Sequence, residues 1–238
     1  MKHSDILFLV TARSGSKGVP GKNIQPFGKI PALGLRIDVI KKFSTEAEIV
    51  CSTDSEEYAC IATQFGARAP FLRPSELSSD KASSIDVILH ALDWLQEHER
   101  KKFKHLVLIE PSSPFCRVQD IAAGMKMLRE FECPVVAVRA ADVDPIFIAP
   151  LGMAGEFPDL GSRLNARSQL QRQAFEKQFT PCGIFYGVPI EILRSARTFY
   201  THQTRAFSVP EEYGLEIDSP LQADLAKVLW ESGRIQLY

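Results

Sequence analysis

An apolar run at residues 6–10, Ile-Leu-Phe-Leu-Val, breaks directly into Thr11-Ala-Arg-Ser-Gly-Ser-Lys-Gly-Val-Pro-Gly-Lys-Asn23. An unbroken apolar run of strand length, bounded by glycines, reads as a strand buried on both faces. Such strands belong to sheets covered by helices on either side. The loop carries a second constraint. Gly15, Gly18 and Gly21 allow positive φ and close backbone approach, so several N–H groups can converge on one anion. Arg13, Lys17 and Lys22 add positive charge, and an arginine can hold a phosphate through two donors. The expectation is a strand feeding a phosphate cradle; the plain alternative is a solvated basic loop.

Downstream, apolar runs alternate with helical spacing. Helices are predicted over 32–43, 56–65, 84–99 and 118–131, and strands over 47–51, 67–71, 106–109 and 134–138. Lys41 and Lys42 suit the end of the first helix, and Ser83 or Ser84 the cap of the third. This alternation predicts an α/β fold with a mostly parallel sheet, its binding loops at the carboxyl ends of the strands. After residue 138 the pattern changes. Residues 142–161 are rich in Pro and Gly, and 163–178 are polar with repeated Arg and Gln. Residues 139–179 therefore read as an inserted arm, and 1–138 with 180–238 as the domain that carries it. Strand-like runs resume at 183–186 and 205–209, and a closing helix at 220–230 is expected to pack Leu221, Leu225, Val228 and Leu229.

The 238-residue chain has a net charge of −1, so no basic field points to nucleic acid or an anionic membrane. No apolar stretch reaches 18 residues, and the single Lys and five-residue apolar run near Met1 make a poor secretion signal. The five cysteines are widely spaced without a Cys-x-x-Cys pair, which offers neither a zinc site nor a disulfide framework. A reducing cytoplasm is the expected setting.

The loop at 11–23 lacks both the G-x-G-x-x-G spacing and the G-x-x-x-x-G-K-[ST] of a P-loop. It resembles the opening motif of the acylneuraminate (nonulosonic acid) cytidylyltransferases, roughly A-R-x-x-S-K-G-[ILV]-P-x-K-N. Ala12, Arg13, Ser16, Lys17, Gly18, Val19, Pro20, Lys22 and Asn23 fit it. Three further segments follow in the family's order. Residues 72–84 resemble its L-R-P-x-x-L-[AS]-x-D-x-[AS]-S-S segment, residues 109–117 its L-Q-P-T-S-P-L-R, and residues 215–220 its D-I-D-[ST]-P.

The resemblance implies a Rossmann-like, three-layer nucleotidyltransferase fold and transfer of CMP from CTP to a nine-carbon sugar acid. It makes Arg13, Lys17, Lys22 and Asp218 catalytic. Ala12, Arg13, Ser16, Asn23, Arg73, Ala82 and Ser84 would bind the nucleotide. Glu110, Ser112, Ser113, Arg163, Arg172 and Gln173 would bind the sugar acid, whose carboxylate suits arginines of the arm. Glu216 and Asp218, two apart on one face of an expected strand, would hold Mg²⁺. A homodimer with exchanged arms is implied as well. Glu110 stands where the family has Gln, Cys116 where it has Arg, Cys182 where it has Asn, and Glu216 where it has Asp. The rival readings are a 3-deoxy-octulosonate cytidylyltransferase and a catalytically degenerate nucleotide-binding relative.

Overall fold

The computed structural model describes residues 5–157, 161 and 176–238. The run at the N-terminus forms β1 (Ile6–Thr11), and Ile6, Phe8 and Val10 enter one core while Leu7 and Leu9 enter another. That division is the two-face burial expected of an unbroken apolar strand. A short hairpin, β2 (Pro26–Phe27) and β3 (Ile30–Pro31), leads into α1 (Ala32–Phe43). Then come β4 (Glu48–Ser52), α2 (Glu56–Gln64), α3 (Ser84–Glu99), β5 (His105–Ile109) and α4 (Val118–Phe131). The chain continues through β6 (Val135–Ala140), β7 (Phe179–Pro189), α5 (Ile190–Ala196), β8 (Arg205–Ser208) and α6 (Pro220–Glu231).

The six-stranded sheet has the order β4-β1-β5-β7-β6-β8. All neighbours are parallel except where β7 meets β5 and β6, so one antiparallel strand sits in an otherwise parallel sheet. The chain moves from β1 outward to β4 and then returns to β5 on the other side of β1. This reversal opens a crevice at the carboxyl ends of β1 and β5, where ligands of open α/β sheets bind.

Four expectations need correction. Residues 67–71 form no strand: Arg68 and Leu72 make isolated bridges to Val50 and Thr53, because the chain only touches the β4 edge in passing. Residues 215–218 belong to no strand or helix. They are held through the Ile217 N–H, which donates to the Ser112 carbonyl at 2.8 Å. Residues 139, 140 and 179, at the edges of the expected insertion, stand in the sheet: Arg139 pairs with Thr180 and Ala140 with Phe179 in the β6–β7 ladder. Finally, α6 buries Ala223 and Ala226, while Leu221 (78% exposed), Leu225 (46%) and Val228 (60%) face outward. Small residues let α6 lie close to the domain; of the four residues expected to pack, Leu229 does so, half-buried against the core, and the other three are left uncovered.

Candidate active site

The loop after β1 is fixed by three contacts. The Ala12 N–H donates to the Ser52 carbonyl at 3.1 Å, joining the ends of β1 and β4. The Ser14 N–H donates to Asp54 at 2.8 Å, and the buried Asn23 amide donates to the Arg13 carbonyl at 2.9 Å, closing the loop. Gly21 turns the chain at φ 68°, a left-handed conformation that favours glycine. Gly15 and Gly18 have ordinary φ, so the expected run of three positive-φ glycines reduces to one. Gly18 serves close approach instead: a Cβ there would collide with the backbone carbonyl of Asp218. The glycine-rich loop and the 215–218 segment are thus packed backbone to backbone.

A cleft of about 240 Å³ opens above this junction, lined among others by Arg13, Ser16, Lys22, Asn23, Arg73, Ala82, Ser84, Glu110 and Ser112. Residues separated by a hundred positions in sequence therefore share one wall. The Ser16 hydroxyl is buried with no partner among the described residues, the state expected of a donor kept for a ligand. The cations are already engaged. Asp80 holds Arg13 at 2.8 Å and Lys17 at 2.5 Å, and Lys22 reaches Asp218 at 2.7 Å. These partners depress the Asp80 carboxyl below its ordinary range, through hydrogen bonds from Lys17 first and then Arg13.

Several predicted site residues stand one layer behind the cleft. Ala12 is fully buried, with its N–H committed to β4, so it positions the loop. The Arg73 guanidinium reaches the cleft, yet its Nε donates to the Ser52 hydroxyl at 3.1 Å and another nitrogen bonds the Ser52 carbonyl. It braces the end of β4, and burial lowers its pKa. Lys17 is largely exposed at the rim, and Ser113 is buried. Arg163, Arg172 and Gln173 lie outside the described residues.

At the opposite end, Gly183 marks the convergence of three polar groups. A Cβ there would lie 2.5 Å from the Ser113 hydroxyl, 2.7 Å from a Glu110 carboxylate oxygen and 3.0 Å from one of Glu216. Glu216 accepts from the Gly183 N–H at 2.7 Å and from the Ser113 hydroxyl at 3.2 Å, which commits one of its oxygens to the protein. Asp218 is freer. Ser219 caps α6, and the Gln222 side chain accepts from the Asp218 N–H at 2.9 Å, leaving the Asp218 carboxylate to Lys22. The Glu110 carboxyl is pushed up to about 7, chiefly by desolvation and next by Glu216, with Lys22 opposing.

No group of three or more His, Cys, Asp or Glu side chains capable of holding a metal occurs among the described residues. The donors near Asp218 are hard oxygens, which suits Mg²⁺ held by one or two carboxylates together with substrate phosphates and water. They do not form an all-protein cage.

Two features were not read from the sequence. Asp80 is the counter-ion of Arg13 and Lys17; its position in a cation-facing loop was the available signal. A second cavity of about 250 Å³ shares Ser84 and Glu110 with the first and is walled by Tyr186, Phe199 and Tyr200, with Arg197 at its edge. The adjacent Phe199-Tyr200 pair was its sequence trace, masked by an unexpected short helix, α5, just before it.

Residues 7–139 match a family model described as Cytidylyltransferase. An N-acylneuraminate cytidylyltransferase of Escherichia coli is 30% identical over 93% of this chain and 51% of its own length. A CMP-N,N'-diacetyllegionaminic acid synthase of Legionella pneumophila is 27% identical over 95% of this chain and 96% of its own. The chain thus spans about half the length of the first relative and nearly all of the second. Among solved structures, a CMP:2-keto-3-deoxy-manno-octonic acid synthetase complexed with CTP superposes with a TM-score of 0.69 at 13% identity, covering 96% of this chain and 99% of that one, a likeness of fold.

Proposed function

The chain belongs to the cytidylyltransferase family, and from that premise we propose that it transfers CMP from CTP to the 2-hydroxyl of a nonulosonic acid, with release of pyrophosphate. The observation that carries this reading is the single cleft in which Arg13, Ser16, Lys22 and Asn23 face Ser84, Glu110 and Ser112 at the ends of β1 and β5. The sugar hydroxyl oxygen forms a bond to the α-phosphorus, the bond to the pyrophosphate oxygen breaks, and the hydroxyl proton is lost to Asp218 or to water. Arg13, Lys17 and Lys22 take up the charge that develops on the leaving pyrophosphate, the kind of preorganised electrostatic help that dominates such transfers. Arg13 and Lys17 would exchange Asp80 for phosphate, and Lys22 would turn from Asp218. Asp218 is the residue to hold Mg²⁺, with Glu216 behind it; the cation, when bound, offsets charge on the phosphate oxygens.

The exposed stripe of Leu221, Leu225 and Val228, with the exposed Leu151 and Met153 of the arm, supports pairing with a second copy of the chain. In this reading residues 141–178 form the dimerising arm, and its arginines bind the sugar carboxylate. No helix among the described residues is long and apolar enough to cross a membrane, and the expected setting is the cytoplasm.

The test is pyrophosphate release from CTP and Mg²⁺ against N-acetylneuraminate, legionaminate, pseudaminate and 3-deoxy-octulosonate. Turnover with a nine-carbon acid supports the reading. Turnover with the octulosonate alone moves the chain to the eight-carbon class, and CTP binding without turnover marks a degenerate relative.

A further inference from the structure

Among the charged side chains that line the two adjoining cavities, one carboxylate stands apart. Arg13 is held by Asp80, Lys22 by Asp218, and Arg197 by Asp86. Arg73 is spent on Ser52. The Glu110 side chain makes no hydrogen bond or ion pair at contact distance among the described residues, although it lines both cavities. Its surroundings are negative. Glu216 and Glu110 both crowd the position that a Cβ at Gly183 would take; of the cations that act on Glu110, Lys22 is engaged by Asp218 and the buried Arg36 donates to the Ile184 carbonyl. On the side of the second cavity the walls are aromatic, from Tyr186, Phe199 and Tyr200, and aromatic faces are attractive to cations.

We propose that Glu110 is a specificity-determining residue, and that the sugar acid used by this chain carries a basic substituent, an amino or amidino group, which Glu110 receives at the junction of the two cavities. The inference rests on the cytidylyltransferase reading and deepens it. A glutamine at this position, as in the family pattern, can donate to an acyl carbonyl and also accept; a glutamate that meets a cation is held ionised and only accepts. It therefore repels the carbonyl of a neutral acylamino group and rewards a cation. A charge-assisted bond is stronger than its neutral counterpart, and a buried acceptor left unpaired penalises the wrong ligand. The sugar acid and CTP bring only negative charge into this corner, so a basic group on the sugar also offsets the repulsion that Glu110 would otherwise impose.

The experiment compares two nonulosonic acids that differ at one nitrogen, acetylated in one and carrying an acetimidoyl group or a free amine in the other. Pyrophosphate release is measured for each with the wild-type protein, Glu110→Gln and Glu110→Asp. The wild type should favour the basic sugar by about tenfold or more in kcat/KM. Glu110→Gln should remove or reverse that preference, and Glu110→Asp should keep its direction. Turnover of both sugars by the wild type with equal or acetyl-favouring kcat/KM would overturn this inference and leave the activity intact, as would a basic preference that survives in Glu110→Gln. No turnover of any sugar acid by the wild type would instead overturn the cytidylyltransferase reading, and this inference with it.

Discussion

At the glycine-rich loop, Arg13 and Lys17 share one carboxylate, Asp80, on the rim of the cleft. At the opposite end, Glu110, Glu216 and Asp218 gather, with Lys22 paired to Asp218, and with Lys22 and Arg36 the cations that act on Glu110. In the proposed reading the first region lends its cations to a removable partner until phosphate arrives, and the second is a cluster of carboxylates that would receive a cation, Mg²⁺ at Asp218 or a basic group at Glu110. Lys22, paired with Asp218, joins the two regions.

That bridge gives the largest expected effect. Lys22→Ala and Asp218→Ala should each lower kcat about 10²- to 10³-fold, the usual cost of losing one electrostatic stabiliser. Because the two residues act as a unit, the double variant should fall much less than the product of the single losses. Turnover within about threefold of wild type in either single variant would remove the bridge from the mechanism.

Next is packing. Gly183→Ala places a methyl against Ser113, Glu110 and Glu216, all closer than ordinary contact. It should cost about 1–3 kcal/mol in denaturant unfolding, as overpacked sites do. Gly15→Ala, whose Cβ would meet nothing within 4 Å, is the matched control in the other region and should change stability by less than about 0.5 kcal/mol. Equal effects at the two glycines would show that the acidic corner is no more tightly packed than the loop.

The third test is electrostatic. Native Glu110 keeps its proton up to about 7, against an ordinary value of 4.5. Between these values the native state binds more protons than the unfolded chain, so this group makes stability fall as pH rises through the window. Glu110→Gln removes the penalty. It should match wild type below pH 4.5 and exceed it by about 3 kcal/mol above pH 7, read by thermal or chemical unfolding across the range. An unchanged difference at all pH values would mean that the acidic corner is relieved by movement and not by protonation.

The two regions were also unequally legible. The strand-to-loop junction could be read because burial on both faces and a basic glycine loop leave local signatures, and α1, α3 and α4 fell where their spacing placed them. The acidic corner depends on contacts between residues 110, 183 and 216, for which no local spacing exists. Glu216 read as a metal ligand by its nearness to Asp218, but it is partly spent on the Gly183 N–H. Arg36 is a similar case. It lies on the apolar face of α1, fully buried, and donates to the Ile184 carbonyl at 2.5 Å, while burial lowers its pKa to about 9. A helix stripe gives no sign that one of its members will brace β7 beside Gly183. The exposed stripe of α6 was misread for the opposite reason: period identifies the apolar face, but not whether that face meets this domain or another surface.

The smallest expected effect tests the claim that Asp80 is a stand-in for phosphate. Asp80 is exposed, and its two ion pairs are of the surface kind that contribute little to stability. Its consequence should therefore lie in binding. CTP must displace it from Arg13 and Lys17, so Asp80→Asn should tighten CTP about two- to fivefold in calorimetric titration, with the melting temperature almost unchanged. The gain should shrink as salt is raised, since it arises from exposed charges within a Debye length of solvent ions. Weaker binding by Asp80→Asn would reverse the argument. Asp80 would then be holding Arg13 and Lys17 in the orientation that phosphate needs, and the loop would resemble the acidic corner in being built by its internal contacts.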